Sequence, residues 1–309
     1  MVIGLDVSPL ALTRAGTARY IRGLLAHLTV DVERLSFGGP GRVAAVVRDV
    51  AWYPWLRADV DVLHCPSFRG PLRPRVPLVV TVHDLAILRH PETFNRWHRA
   101  YSRLAVPRVI AAASRVIAVS EFTKRELVEL LGVDPGRVRV IPNAVEDVFA
   151  ADGPAAEDDY VLAVSTLEPR KNLPRLAEAT RRLGVELRVV GARGWGDVPL
   201  PDEGVRWLGE VSDGELAALY RGARCLAYPS LYEGFGIPVA EAMACGCPVV
   251  TSVASAMAEI AGDYAVYVDP LDPASIAAGI ERVSPREARR PFTWDSVAAA
   301  TEDVYRELA

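Results

Sequence analysis

Residues 224–252 read RCLAYPSLYEGFGIPVAEAMACGCPVVTS, and the prediction of the fold starts from them. The apolar run Cys225–Tyr228 is followed by a proline and a serine, a pattern typical of a buried strand. After a glycine-containing loop, Pro238 suits the first position of a helix, where a missing N–H costs nothing. Gly246 fits the end of that helix, and residues 248–251 form the next apolar run. The stretch therefore predicts a strand–loop–helix–strand unit whose two strands are parallel.

The loop and helix N-terminus of such a unit lie at the carboxyl end of the sheet, where open α/β sheets bind ligands. N–H groups at a helix N-terminus favour an anion such as a phosphate. Glu233 in the loop and Glu241 in the first helical turn flank this position. Carboxylates repel phosphate, but they accept hydrogen bonds from sugar hydroxyls. The combination indicates a phosphorylated ligand rich in hydroxyls, such as a nucleotide sugar; a surface glycine loop with solvated glutamates is the plainer alternative.

The same residues resemble the signature of retaining glycosyltransferases, in which seven residues separate two glutamates. Glu233 and Glu241 have this spacing, and the string YEGFGIPVAEAMACGCPVV is similar to family-4 members with the GT-B fold. The resemblance implies an α/β protein built from two Rossmann-like domains that face a cleft. It also implies that four residues of the loop and helix start contact the donor: Gly234, Phe235, Gly236 and Ile237.

Composition is consistent with this class of protein. A chain of 309 residues suits two domains, and a 50% apolar content is enough for two cores. The net charge of −4 argues against a general nucleic-acid binder. The sequence shows neither a signal-peptide pattern nor a transmembrane stretch, so we expect a cytoplasmic protein. The four cysteines fit neither a disulfide framework nor a zinc site.

A segment rich in alanine, proline, glycine and aspartate at 150–159 predicts a domain boundary. We expect residues 1–150 to form an acceptor-binding domain and residues 151–290 to bind the nucleotide sugar. As the resemblance implies, residues 291–309 form a helix that returns to the first domain. Residues 30–60 are short and irregular for a domain of this class, which predicts a trimmed first domain.

The first half holds two candidate site segments. Residues 13–20 contain a glycine between the first strand and the first helix, a generic phosphate-binding device. In the family this loop packs against the donor diphosphate, which implies donor contacts for Gly16 and Thr17. His83 ends the strand PLVVTVHDL, where the resemblance implies a catalytic histidine facing the transferred sugar; a histidine that caps a strand end is the alternative. His64 is expected to lie behind the site.

The second half contains the string TLEPRKN, with Arg170 and Lys171 after a predicted strand. Two adjacent cations there can neutralise a diphosphate leaving group, although a surface pair is the commoner case. The string is similar to the phosphate-binding loop of the family, which implies catalytic roles for both cations. Many members have an arginine where this chain has Thr166, so the division of that role between Arg170 and Lys171 is open. Val211 lies in the segment that lines the base pocket in the family.

The resemblance covers nearly the whole chain and implies a retaining hexosyltransferase of polysaccharide biosynthesis. It would move a sugar from a nucleotide sugar to a saccharide or lipid-linked acceptor, with GDP-mannose favoured and a UDP-sugar as the alternative donor. Glu233 would hold sugar hydroxyls, and Glu241 the ribose or the sugar. No divalent metal or other cofactor is expected, because no DxD pair follows a strand.

Other classes remain open at this level. A GT-B sugar-nucleotide 2-epimerase would share the architecture, and a non-catalytic nucleotide-sugar binding protein would share the donor site. Residues 94–115 combine arginines with aromatic and apolar residues at helical spacing. This pattern predicts either peripheral contact with the cytoplasmic face of a membrane or an ordinary solvated helix.

Overall fold

The computed structural model describes most of the chain and divides it into two compact units. One unit comprises Met1–Ala144 with Phe292–Ala309, and the other comprises Val145–Pro291. The predicted glycine loop is described only from Gly16 onward, and most of the predicted irregular stretch at 30–60 lies outside the described residues. The described ranges, without the side chain of His98, are 1–11, 16–36, 59–94, 96–194 and 198–309.

The first unit is built on a six-stranded parallel sheet, with strand order β2-β1-β3-β4-β5-β6. Its strands are short and rich in valine, isoleucine and leucine, as is usual when helices cover both faces of a parallel sheet. The strands are β1 (Val2–Asp6), β2 (Asp31–Leu35), β3 (Val62–Cys65), β4 (Leu78–Val82), β5 (Arg115–Ala118) and β6 (Val138–Val140). The helices between them are α1 (Gly16–His27), α2 (Ala86–Arg89), α3 (Arg96–Ala112) and α4 (Glu121–Leu131).

One helix of this unit differs from the sequence expectation. The predicted loop through residue 20 is wrong at its end, because α1 already begins at Gly16. Glycine disfavours helix interiors but is tolerated at a helix start, where no preceding turn has to be completed. Pro107 lies inside α3 without ending it.

Among the residues that the structure describes, no helix is both long and apolar enough to cross a membrane.

The second unit is also a parallel six-stranded sheet, with strand order β12-β11-β10-β7-β8-β9. Its strands are β7 (Tyr160–Val164), β8 (Glu186–Val190), β9 (Val205–Gly209), β10 (Cys225–Tyr228), β11 (Val249–Ser252) and β12 (Ala265–Val268). Its helices are α5 (Leu173–Leu183), α6 (Asp213–Gly222), α7 (Ile237–Ala244), α8 (Met257–Ala261) and α9 (Pro273–Arg282). The chain fills one side of the sheet from β7 to β9 and then crosses back to β10.

This strand order creates a topological switch point between β7 and β10, which are hydrogen-bonded neighbours. The connections from these two strands leave in opposite directions, which opens a crevice at their carboxyl ends. The predicted strand–loop–helix–strand unit is confirmed as β10, α7 and β11, with Pro238 in the first turn of α7. Gly236 starts this helix at φ 96°, a left-handed conformation that favours glycine.

The last helix, α10 (Trp294–Arg306), belongs to the first unit. A capping box between Thr293 and Ser296 starts it. Trp294 packs so closely on α1 that a Cβ atom added at Gly23 would lie 2.1 Å from the indole ring. Tyr305 is fully buried at the other end of the helix. The first sheet therefore completes its core with residues from the end of the chain.

Candidate active site

The loops that follow β7 and β10 are tied together at the switch point. Arg170 and Lys171 lie in a single 3₁₀ turn after β7. The Leu231 N–H donates to the Arg170 carbonyl at 2.8 Å. The Asn172 amide donates to the carbonyl of Pro229 at 3.1 Å. These contacts hold the two loops against each other, so that together they form one surface at the carboxyl edge of the sheet.

Glu233 is the centre of this surface, and both cations bind its carboxylate. The Lys171 ammonium donates to Oε1 at 2.7 Å, and the Arg170 guanidinium donates to Oε2 at 3.1 Å. Lys171 also donates to the Tyr228 hydroxyl at 2.8 Å. The Glu233 side chain is only 9% exposed. Each carboxylate oxygen therefore has its own cationic partner in a partly dry environment, where such bonds are strong.

The protonation state of Glu233 follows from these neighbours. Burial alone would raise the pKa of Glu233, but the charges of Lys171 and Arg170 outweigh it and lower the pKa from 4.5 to about 2. The stabilisation from this ionised carboxylate is fully present above about pH 4.5 and is lost as the pH falls through about 2. Glu233 is therefore a permanent acceptor at neutral pH.

A second carboxylate, Glu168, orients Arg170 from the opposite side. It is 3% exposed, and its Oε2 accepts from Arg170 Nε at 2.9 Å. Its Oε1 accepts from the Thr166 hydroxyl. The structure thus places Thr166 behind Arg170, while Arg170 itself reaches Glu233. Sequence reasoning did not single out Glu168; its acidic side chain two residues before a predicted phosphate-binding arginine was the available signal.

The loop that contains Glu233 is held by Ser255, which follows β11. The Glu233 N–H donates to Ser255 Oγ at 2.8 Å, and the Ala256 N–H donates to the Glu233 carbonyl at 3.2 Å. Ser255 has φ 61°, an uncommon conformation for serine that is typical of functional loops. No sequence signal pointed to Ser255, because its backbone conformation is set by tertiary contacts. Gly234 and Phe235 continue this loop to the start of α7.

Glu241 and Val211 are two further predicted donor-binding residues of this unit. Glu241 is 2% exposed in α7 and accepts a hydrogen bond from the Tyr220 hydroxyl at 2.9 Å. Burial first, and then the charge of Glu241, raise the pKa of Tyr220 well above its ordinary value. Val211 lies between β9 and α6, next to Ser212, which caps that helix. Glu241 therefore holds a buried tyrosine, whereas Glu233 holds two cations.

In the first unit, His83 directly follows β4 and is partly exposed. Its Nε2 lies 3.2 Å from the Pro66 carbonyl. Because a carbonyl only accepts, this nitrogen carries the proton. The ring of Tyr20 meets the His83 ring edge-on with 5.0 Å between centroids. Burial lowers the pKa of His83, although the Pro66 carbonyl and Asp84 oppose this shift.

The remaining predicted residues of the first unit are Gly16, Thr17 and His64. Gly16 and Thr17 form the partly exposed start of α1. His64 is fully buried in β3. Among the described residues, no group of three or more histidine, cysteine or acidic side chains is arranged to hold a metal ion.

Comparison with known proteins gives matches over both units. Residues 4–148 match the family model "Glycosyltransferase Family 4", and residues 145–291 match "Glycosyl transferases group 1". The O-antigen chain mannosyltransferase B of Escherichia coli is 31% identical, and the match covers 87% of this chain and 78% of that protein. The MMP alpha-(1->4)-mannosyltransferase of Mycolicibacterium hassiacum is 29% identical, and the match covers 81% of this chain and 71% of that protein.

A solved structure supports the same fold. The sucrose-phosphate synthase of Thermosynechococcus elongatus superposes with a TM-score of 0.78 at 21% identity, covering 99% of this chain and 98% of that one. The two parallel six-stranded sheets, together with the two glycosyltransferase family matches, show a glycosyltransferase with the GT-B fold. The chain belongs to family 4 of these enzymes.

Proposed function

We propose that this glycosyltransferase moves mannose from GDP-mannose to a saccharide or lipid-linked acceptor, with retention of anomeric configuration and without a divalent metal. The observation that carries the proposal is the Glu233 carboxylate with Arg170 and Lys171 bound to it at the switch point of the second sheet. The choice of mannose is supported by the names of two relatives, both mannosyltransferases.

The proposed donor site assigns the diphosphate to the cations and the sugar to the carboxylate. Negative charge grows on the departing diphosphate in the transition state, and cations placed there stabilise it. An ammonium has three N–H donors. The described contacts of Lys171 use two of them, on Glu233 and Tyr228, so the third is available to a phosphate oxygen. Glu233 stays ionised and accepts from sugar hydroxyls.

Arg170 has a different task because its guanidinium is fixed on both sides. Glu168 accepts from its Nε, while Glu233 and the Tyr232 carbonyl accept from Nη1. A guanidinium locked in this way keeps a single orientation, so little side-chain entropy is lost when the donor binds. We therefore assign to Arg170 the role that a strand-end arginine has in many members, with Thr166 supporting it through Glu168.

The other assignments follow the family resemblance. His83 acts on the transferred sugar or the leaving oxygen, and Glu241 supports the ribose or sugar side of the donor site. The remaining donor contacts are proposed for Gly16, Thr17, Val211, Gly234, Phe235, Gly236 and Ile237.

A thermal-shift panel of GDP, UDP, ADP and their sugars tests the donor. We expect GDP and GDP-mannose to stabilise the protein, by about 2.7 kcal/mol at a hundred times the dissociation constant. Lys171→Met should lose much of this shift. Lys124→Met is the matched control, since Lys124 is the other lysine of the chain and lies in α4 of the first unit. A shift with UDP instead would reassign the donor, and no shift with any nucleotide would contradict the proposal.

Metal independence has its own test. Because Arg170 and Lys171 supply the positive charge, turnover in excess EDTA should equal turnover in untreated enzyme. The product should keep the anomeric configuration of the donor in both conditions, which NMR of the glycosidic proton reports. Loss of activity in EDTA that Mn²⁺ restores would overturn the metal-independent assignment.

A further inference from the structure

A line of four buried polar side chains crosses the first unit from the last helix to the first. Tyr305 of α10 lies with its hydroxyl 2.6 Å from His64 Nδ1, and His64 Nε2 lies 2.8 Å from the Thr81 hydroxyl. The Thr81 hydroxyl is in turn 3.2 Å from the hydroxyl of Tyr20 in α1. At most 2% of any of these four residues is exposed. The line therefore joins α10, β3, β4 and α1 inside the core.

The proton order at His64 can be worked out from Tyr305. The Tyr305 hydroxyl is fully buried, and its hydrogen bond among the described residues is the one to His64 Nδ1. Its proton is satisfied there only if Tyr305 donates and Nδ1 accepts. His64 Nε2 therefore carries the ring proton and donates to the Thr81 hydroxyl, which is hydrogen-bonded in turn to the Tyr20 hydroxyl.

His64 then accepts from Tyr305 through its unprotonated Nδ1. Burial, with a smaller contribution from His83, lowers the pKa of His64 to about 3, so the ring is neutral at physiological pH. A neutral imidazole has one donor and one acceptor, and both are used here. Each group in the line is thus satisfied by its neighbour, an arrangement that fixes side-chain positions strongly in a low-dielectric core.

The line ends at Tyr20, which packs against His83. Tyr20 packs edge-on against the His83 ring with 5.0 Å between centroids, and it also lies against Trp294 of α10. The Pro66 carbonyl holds His83 from its other side. The position of the His83 ring is therefore set by one hydrogen bond and by a tyrosine whose hydroxyl is itself fixed.

We propose that Tyr305 and His64 are positioning residues that hold Tyr20 against His83, so that the last helix of the chain sets the geometry of the histidine site. This inference rests on the proposed role of His83 in sugar transfer. Neither residue touches substrate in this scheme. Their effect passes through Tyr20 and is expected in turnover, while donor binding by the second unit is unaffected.

Tyr305→Phe is the most direct test, because it keeps the ring and removes only the proton that His64 Nδ1 accepts. We expect turnover at saturating substrate to fall about tenfold at a temperature far below unfolding, with the dissociation constant for GDP unchanged. Tyr160→Phe is the matched control. Tyr160 is equally buried, lies at the start of β7 and loses one hydrogen bond of similar length, 2.7 Å to the Leu219 carbonyl. It should lower the melting temperature and leave turnover as in wild type.

Two further measurements keep the outcomes apart. Wild-type turnover in Tyr305→Phe, together with a large loss in His83→Ala, would overturn the inference and leave the proposed function in place. Wild-type turnover in His83→Ala would overturn the role of His83 and the inference with it. Should Tyr305→Phe not fold, ¹⁵N NMR of the wild-type histidines decides: an Nδ1-protonated His64 would contradict the derived proton order, and an Nε2-protonated ring supports it.

Discussion

Glu233→Ala is expected to lower turnover at least tenfold, which corresponds to about 1.4 kcal/mol of lost transition-state stabilisation. The variant removes the acceptor proposed for sugar hydroxyls. It also leaves Arg170 and Lys171 without the carboxylate that orients them, and both cations are largely buried, with 15% and 10% of their side chains exposed. Two neighbouring cations without that carboxylate repel each other, and Arg170 is then oriented by Glu168 and the Tyr232 carbonyl. Steady-state kinetics with the donor identified in the thermal-shift panel is the measurement.

The expected change in donor affinity separates this effect from simple unfolding. Without Glu233, the two cations no longer donate hydrogen bonds to a carboxylate at this position. GDP should therefore bind Glu233→Ala at least as tightly as wild type. Glu178→Ala is a matched control on α5, because Glu178 also binds two cations, Arg181 and Arg182, but is about one-third exposed. Surface pairs of this kind contribute little. The assignment of Glu233 fails if Glu233→Ala and Glu178→Ala both turn over like wild type.

Gly191→Ala is expected to destabilise the protein by about 3 kcal/mol or more, the sum of backbone strain and overpacking. Gly191 directly follows β8 and has φ 143°, a conformation that side chains rarely adopt. A Cβ atom there would lie 2.2 Å from the Ser165 carbonyl oxygen and 3.3 Å from the Thr166 nitrogen. Both atoms are backbone, so neither can rotate away. Urea denaturation of the purified variant measures the loss.

Gly184→Ala separates the two causes. Gly184 also has a positive φ, 65°, at the end of α5, but a Cβ atom there would meet nothing within 4 Å. Only the left-handed backbone penalty applies, about 1 kcal/mol. The difference between the variants is the cost of pressing on Ser165 at the start of the loop that holds Arg170, together with the larger backbone penalty at φ 143° than at φ 65°. Equal stability of the two variants would show that the β7–β8 contact at the switch point yields easily.

Local sequence signals were sufficient for the crossover unit that contains Glu233. An apolar run, a proline at a helix start and a glycine at a helix end are each read within a few residues, and β10, α7 and β11 lie where these signals place them. The convergence of Arg170 and Lys171 near Glu233 also followed from chain order, since parallel strands bring their carboxyl ends to one edge.

The sequence alone did not predict which individual side chains are hydrogen-bonded to each other. The bond from Lys171 to Glu233 spans 62 residues, and that from Tyr305 to His64 spans 241. No periodicity or propensity encodes such distances, because they depend on how whole elements pack. Ser255 was missed for the same reason, since its bond to Glu233 spans 22 residues. Glu168 is a different case, because it binds Arg170 only two residues away and its local signal was not used.

The placement of α10 has a consequence for how the polypeptide emerges from the ribosome. The second unit is one contiguous segment, Val145–Pro291, and its last residue is synthesised before any residue of α10. The first unit begins earlier but lacks Trp294, Val297 and Tyr305, all buried in its core, until the whole of the second unit has been synthesised. The usual vectorial order, in which the N-terminal domain folds first, is therefore reversed for completion: the first unit completes its core only after the second unit has been synthesised.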